Sequence, residues 1–190
     1  DRLLRINEWP RMQGQLFAAQ TVGIIGLGHI GKRVARLSQA FDARVIAHDP
    51  HIDPTSHGVE SVSLEELFAK ANVISLHVPY TTDTHHLLDA KSFACMKPGS
   101  IIINAARGGL IDEAALDEAL ISGHLGMAAL DVFEQEPYHG PLTKNDRMIL
   151  TSHIGSLAKE SRKCMELEAA GNLLKGLINA GLIKDDQTNV

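Results

Sequence analysis

The stretch Thr21-Val22-Gly23-Ile24-Ile25-Gly26-Leu27-Gly28-His29-Ile30-Gly31 decides the fold. An apolar run with the character of a buried strand ends in Gly26, Gly28 and Gly31, spaced GxGxxG, and a helical pattern follows. Each glycine answers a separate need. The first lets the chain turn tightly from strand to helix, the second lets a pyrophosphate approach bare backbone, and the third lets the helix close on the strand. Phosphates then sit on the helix N-terminus, where unpaired N–H groups and the dipole favour negative charge. GxGxxG alone is also an ordinary glycine-rich turn; the strand before it and the helix after it point to a dinucleotide.

Working outward, a second strand, Ala43-Arg44-Val45-Ile46-Ala47-His48, ends in Asp49, eighteen residues beyond Gly31. An acid at about that distance can bond both adenosine ribose hydroxyls. The same carboxylate repels a 2′-phosphate, and Pro50-His51-Ile52-Asp53 contains no arginine to accommodate one. The expected cofactor is therefore NAD rather than NADP. Asp49-Pro50 also reads as a plain turn starter.

The pattern keeps alternating. Ser63-Leu64-Glu65-Glu66 is a capping box opening a helix over residues 64–71, and a third strand over 73–78 ends at Pro79. Asp89 caps a helix that Pro98-Gly99 stops, and Ser100-Ile101-Ile102-Ile103-Asn104 is the clearest buried strand. Asp112 caps a helix over residues 113–121 with Leu116, Leu120 and Ile121 expected on one face and Gly123 as the stop. Residues 126–130 and 148–151 read as two further strands around a loop, and 157–182 as a long amphipathic helix with Met165, Leu167, Ala169, Leu173, Leu174 and Leu177 apolar. Strands joined by helical crossovers make an open parallel α/β sheet.

Composition excludes several classes. The 190 residues, 44% hydrophobic, suffice for one domain with an appendage. No stretch resembles a secretory leader or approaches the roughly 18 apolar residues of a membrane span, so a cytoplasmic protein without a membrane partner is expected. A net charge of −5, with 18 scattered Lys and Arg, leaves no footprint for nucleic acid. Cys95 and Cys164 lie in no metal spacing and are expected to be buried or inert thiols. Of the ten histidines, His85 and His86 are adjacent and diverge in any regular element, His51 and His57 are expected to be solvated, and no metal site is expected.

Ligands of such a sheet bind beyond the carboxyl ends of its strands. The residues there are distinctive: Gly26-Leu27-Gly28-His29-Ile30-Gly31, His77-Val78-Pro79, Asn104-Ala105-Ala106-Arg107-Gly108-Gly109, Ala129-Leu130-Asp131-Val132-Phe133, Glu136-Pro137 and His153-Ile154-Gly155-Ser156. In order and spacing these strings resemble the signatures of the D-isomer-specific 2-hydroxyacid dehydrogenases. The segment Gly155-Ser156-Leu157-Ala158-Lys159-Glu160-Ser161-Arg162 is most similar to the members called phosphoglycerate dehydrogenases. The resemblance implies a Rossmann-type doubly wound parallel sheet, with Arg107, Glu136 and His153 catalytic and Asp131 on the nicotinamide carboxamide. It implies cofactor contacts from Gly26, Gly28, His29, Ile30, Gly31, Asp49, His77, Val78, Pro79, Thr84, Ala105, Ala106, Arg107, His153 and Gly155. It also implies a 2-hydroxy or 2-oxo acid as partner, with 3-phosphoglycerate a candidate, and a homodimer.

The chemistry of these side chains agrees. Hydride exchange at C2 of a 2-hydroxy acid needs an acid/base on its oxygen, a cation for its carboxylate and fixed geometry. A histidine suits the first, because an unperturbed imidazole changes charge near neutrality, and His153 is the candidate. An acid such as Glu136 paired with it favours the imidazolium. The planar fork of Arg107 matches a carboxylate. Taken one at a time they also read as a buried histidine, a solvated loop acid, a surface cation in a turn and, for Asp131, a helix cap.

Three departures from the pattern stand out. Ser152 replaces the family's usual proline before His153, His29 replaces a frequent arginine, and only 20 residues precede the first strand, too few for the family's substrate lobe. The expectation is a fragment with the substrate domain largely missing. Residues 1–20 form an entry segment, with a connecting helix over 1–9 and Trp9, Gly14 and Leu16 leading into the next domain. Residues 21–156 form the NAD-binding domain, and 157–190 a helix returning toward the missing lobe, with Asn189-Val190 at its edge. An NAD(H)-sensing corepressor of the same architecture is the alternative, and a relative of adenosylhomocysteine hydrolase a weaker third.

Overall fold

In the computed structural model, which describes residues 2–11 and 13–183, the apolar runs become seven strands that all pair in parallel. The chain runs through α1 (Arg2–Arg5), β1 (Thr21–Ile25), α2 (His29–Ala40), β2 (Arg44–His48), β3 (Glu60–Ser61), α3 (Leu64–Lys70) and β4 (Val73–Leu76). It continues through α4 (Ala90–Cys95), β5 (Ser100–Asn104), α5 (Glu113–Ile121), β6 (Leu125–Leu130), β7 (Met148–Leu150) and α6 (Lys159–Asn179). The strand order β3-β2-β1-β4-β5-β6-β7 reverses between β1 and β4, so the loops beyond their carboxyl ends diverge and leave a crevice there. The doubly wound sheet is thus as the patterning demanded.

Side-chain alternation sorts the core onto two faces. Val22 and Ile24 of β1 join Val45 and Ala47 of β2 against Ala35 of α2 on one face. Ile46, Ile74, Leu76, Ile102, Ala128 and Leu130 meet Leu67, Phe93, Leu116 and Leu120 of α3, α4 and α5 on the other. Burying each Val, Ile, Leu or Phe among them contributes about 1.5–3 kcal/mol. The helices start where local chemistry starts them. Ser63 accepts the Glu66 N–H while Glu66 accepts that of Ser63, Asp89 and Ser92 do the same for α4, and Asp112 accepts the Ala115 N–H.

Several expectations need correction. Ile121 is 74% exposed, whereas Leu116 and Leu120 are buried: at about 100° per residue, the residue after Leu120 points well away from the stripe that Leu116 and Leu120 share. Cys95 and Cys164 are exposed, Cys95 at the outer end of a helix whose inner residues are Ser92 and Phe93. The helix expected over residues 1–9 is formed only by α1. His85 and His86 do not diverge; their rings stack with centroids 3.9 Å apart, since a turn at Thr82–Thr84 and a positive φ at His86 take both out of regular structure. His51 and His57 are exposed, as expected.

The chain divides into two compact units, Asp1–Leu150 and Thr151–Val190. The second unit contains α6, shorter than the 157–182 expected and with no buried residue; Met165, Leu167, Leu173 and Leu174 are exposed. The expected features at Asp1 and at Asn189-Val190 lie outside the described residues. No helix among the described residues is long and apolar enough to cross a membrane, and no group of His, Cys, Asp and Glu among them could hold a metal ion.

Candidate active site

The glycine turn has the geometry its spelling implies. Gly26 has φ of +91° and lies so close to His77 and Val78 that a Cβ there would fall 2.7 Å from Val78 Cγ1. At Gly31 a Cβ would strike the Gly26 carbonyl oxygen, which is how α2 closes on β1. Gly28 is the opposite case: nothing lies within 4 Å of where its Cβ would be, and no side chain caps the helix that begins there. Open space against bare backbone at the uncapped N-terminus of a twelve-residue helix fits a pyrophosphate. Beside it, Ile30 leaves 66% of its surface exposed on the first turn.

Asp49 stands at the end of β2, half-buried, and is held from the backbone. Its Oδ2 accepts the Leu27 N–H at 2.6 Å and its Oδ1 those of His51 and Ile52 at 2.8 and 2.9 Å. Burial pushes this carboxyl up, but the three donors outweigh it and hold it below the ordinary carboxylate range. The anion is therefore locked beside the glycine turn, oriented through Leu27 of that turn. Its charge suits a ribose diol and opposes a 2′-phosphate.

Beyond β4, His77 is half-buried with Nε2 2.9 Å from the Ser75 hydroxyl, and burial holds its imidazole below the ordinary range. Val78 lines the turn at Gly26, and Pro79 is exposed. The Thr84 hydroxyl donates to the Pro79 carbonyl at 2.8 Å and accepts the Thr81 N–H at 2.8 Å, bracing this loop.

Beyond β5, Asn104 is 1% exposed and clamps the loop from both ends. Its Oδ1 accepts the Ala106 N–H and its Nδ2 donates to the Arg107 carbonyl, at 3.0 and 2.9 Å. Ala105 and Arg107 are left exposed on a fixed turn, with Arg107 Nη1 bonded to the Ala106 carbonyl at 2.6 Å. The sequence reading missed the role of Asn104, although an asparagine closing a β-branched strand two residues before the next N–H is an Asx-turn signal.

Gly108, next to Arg107, has no side chain and so lets this loop abut the backbone of Phe133 and Glu134, shortly before Glu136. Asp131 is buried at the end of β6, and Glu136 accepts the Phe133 N–H at 3.1 Å. A second support, unread in the sequence, crosses beneath. Glu134 accepts the Glu113 N–H, Glu113 accepts the Glu134 N–H, and His86 Nε2 lies 3.0 Å from Glu134 Oε1. Burial raises the Glu113 carboxyl, opposed by the Glu134 N–H. His153 and Gly155 belong to the second unit, where His153 has φ of 55°, a conformation rare outside glycine and frequent at functional positions.

A family profile described as "D-isomer specific 2-hydroxyacid dehydrogenase, NAD binding domain" matches residues 1–155, from before the glycine turn through His153. The chain belongs to this family. Among relatives of these dehydrogenases, D-3-phosphoglycerate dehydrogenase of Mycobacterium tuberculosis is 40% identical over 195 residues, covering 95% of this chain and 37% of that protein. Hydroxypyruvate reductase of Thermotoga maritima is 39% identical over 180 residues, covering 92% of this chain and 59% of the other. A glyoxylate reductase from Paecilomyes thermophila superposes with a TM-score of 0.87 at 39% identity, over 95% of this chain and 56% of its own. D-Lactate dehydrogenase from Aquifex aeolicus, solved with NAD and lactic acid, gives 0.84 at 30% identity, over 96% of this chain and 61% of its own. The chain thus spans 37–61% of the length of these relatives. Its dinucleotide unit is an NAD-binding domain, and these relatives lend no support to a corepressor.

Proposed function

We propose that this chain is the cofactor-binding part of an NAD-dependent dehydrogenase of D-2-hydroxy acids, with 3-phosphoglycerate as the leading substrate. The observation that carries the reading is the Asn104-clamped turn, which presents the Arg107 fork in the open beside the loop leading to Glu136.

In this reading NAD lies along Gly26, Gly28, His29, Ile30 and Gly31, with Asp49 on the ribose. His77, Val78, Pro79 and Thr84 shape one wall, and Ala105, Ala106, Asp131 and Gly155 the nicotinamide end. The bound nicotinamide exchanges a hydride with substrate C2. Arg107 grips the substrate carboxylate and polarises the adjoining carbonyl. His153 moves the proton on the C2 oxygen, and the role of Glu136 is to favour the protonated imidazole. The working division is 21–156 for the NAD domain and 157–190 for a helix belonging with the substrate lobe, in a cytoplasmic homodimer.

Calorimetric titration of the chain with NADH and NADPH, with a 2-oxo acid panel on the protein carrying a complete substrate lobe, tests this. NADH should bind more tightly than NADPH and 3-phosphohydroxypyruvate should be reduced. A chain that binds neither nucleotide refutes the cofactor assignment, and a panel with no turnover refutes the activity.

A further inference from the structure

Between α2 and the segment that follows β2 lies a cavity of about 270 Å³. Its floor is apolar: Leu27, Ala35 and Val59, all buried. Its rim is cationic: Lys32, Arg33 and Arg36 from α2, with His57 opposite. The Gln39 amide donates to the Gly58 carbonyl at 3.0 Å and so ties helix to segment.

In a chain of net charge −5, this helix carries no acid at all. Lys32 and Arg36 stand four residues apart and Arg33 and Arg36 three, spacings at which like charges disfavour a helix. Their side chains have no hydrogen bond or ion pair among the described residues. The nearby Asp53 carboxylate, which feels His57, is bonded to Thr55 through its N–H and hydroxyl. The cavity has no acid in its lining. Unpaired guanidinium forks and an ammonium around an apolar floor match a dianion attached to a small apolar body.

We propose that this groove binds a small phosphate monoester, the phosphate among Lys32, Arg33 and Arg36 and the apolar body against the aliphatic stems of these side chains, above the buried Leu27, Ala35 and Val59. The groove shares no lining residue with the cofactor contacts proposed above, although Leu27 lies in the glycine turn between Gly26 and Gly28. The assignment does not rest on the activity proposed above.

The test is a residue-resolved NMR titration of the full chain, saturated with NADH so that the Gly28 site is filled, using inorganic phosphate and phenyl phosphate as probes. Saturable shifts are expected at residues 32–39 and 57–59, with phenyl phosphate the tighter ligand. Lys32→Gln with Arg36→Gln should weaken it about tenfold or more, each charge-assisted contact being worth on that order, while NADH affinity stays unchanged. Because shifts are read residue by residue, the result stands whether or not NADH binds. The proposal is overturned by sodium chloride reproducing the shifts at equal ionic strength, by phenyl phosphate binding no better than phosphate, or by indifference to the double substitution.

Discussion

Asp49→Asn keeps the shape of a side chain and removes its charge. The native carboxylate has two acceptor oxygens for three backbone donors, at 2.6, 2.8 and 2.9 Å. An amide has only one acceptor oxygen. Kept on His51 and Ile52, as in an Asx turn, it turns its NH2 toward the Leu27 N–H. Two donors facing each other in a half-buried position cost about 1–3 kcal/mol. The cost depends on pH with a definite sign. An acid depressed by folding stabilises the native state above its unfolded pKa, about 3.9, and loses that contribution as pH falls through the folded value. Since Asp49 is depressed, the deficit of the variant should be full near neutrality and shrink in acid. Urea unfolding at pH 7 and at successively lower pH follows the deficit as it shrinks. The same substitution removes the charge proposed to hold the ribose and repel a 2′-phosphate, so the NADH preference over NADPH should fall about tenfold, or roughly 1.4 kcal/mol. Equal stability at pH 7, together with an unchanged cofactor preference, refutes the reasoning.

Other substitutions probe neighbouring parts. Gly31→Ala drives a Cβ into the Gly26 carbonyl, against backbone that cannot swing aside, and should cost about 2 kcal/mol or more and abolish NADH binding; a variant melting within about 1 °C of the parent contradicts this packing. Asn104→Ala strips both clamps from the Arg107 turn and should cost about 2 kcal/mol, while raising KM for the acid more than it lowers kcat. Steady-state kinetics on the protein with its substrate lobe checks the second part, and an unmoved KM dissociates the clamp from Arg107. His153→Ala in that protein should lower kcat by about 10²-fold, and a drop of less than about threefold removes His153 from acid/base duty.

Much of this was legible because it is local. The strand Ser100–Asn104 reads from its β-branched run, the helix starts at Ser63, Asp89 and Asp112 from side chains that reach their own N–H groups, and the Asp49 distance from the length of one crossover. The failures share one cause. Cys95 looks like a buried small residue, but faces outward, and α6 shows apolar residues with none buried. Period and residue type state what a side chain could bury, and the neighbouring element states what it does bury. The two-residue strand Glu60–Ser61 carries no signal of its own and exists only because Ile46 and Ala47 offer it an edge.

The amino-acid sequence by itself determined that glycines, an apolar strand and an acid would build an NAD crevice at the turn after Ile25, because those requirements are set within some thirty consecutive residues. Only the tertiary structure decided that Asp49 is aimed by Leu27 and that Glu113, Glu134 and His86 support the loop before Glu136. Those contacts join residues whose spacing along the chain carries no regular period, and hydrogen bonds select partners by position in space.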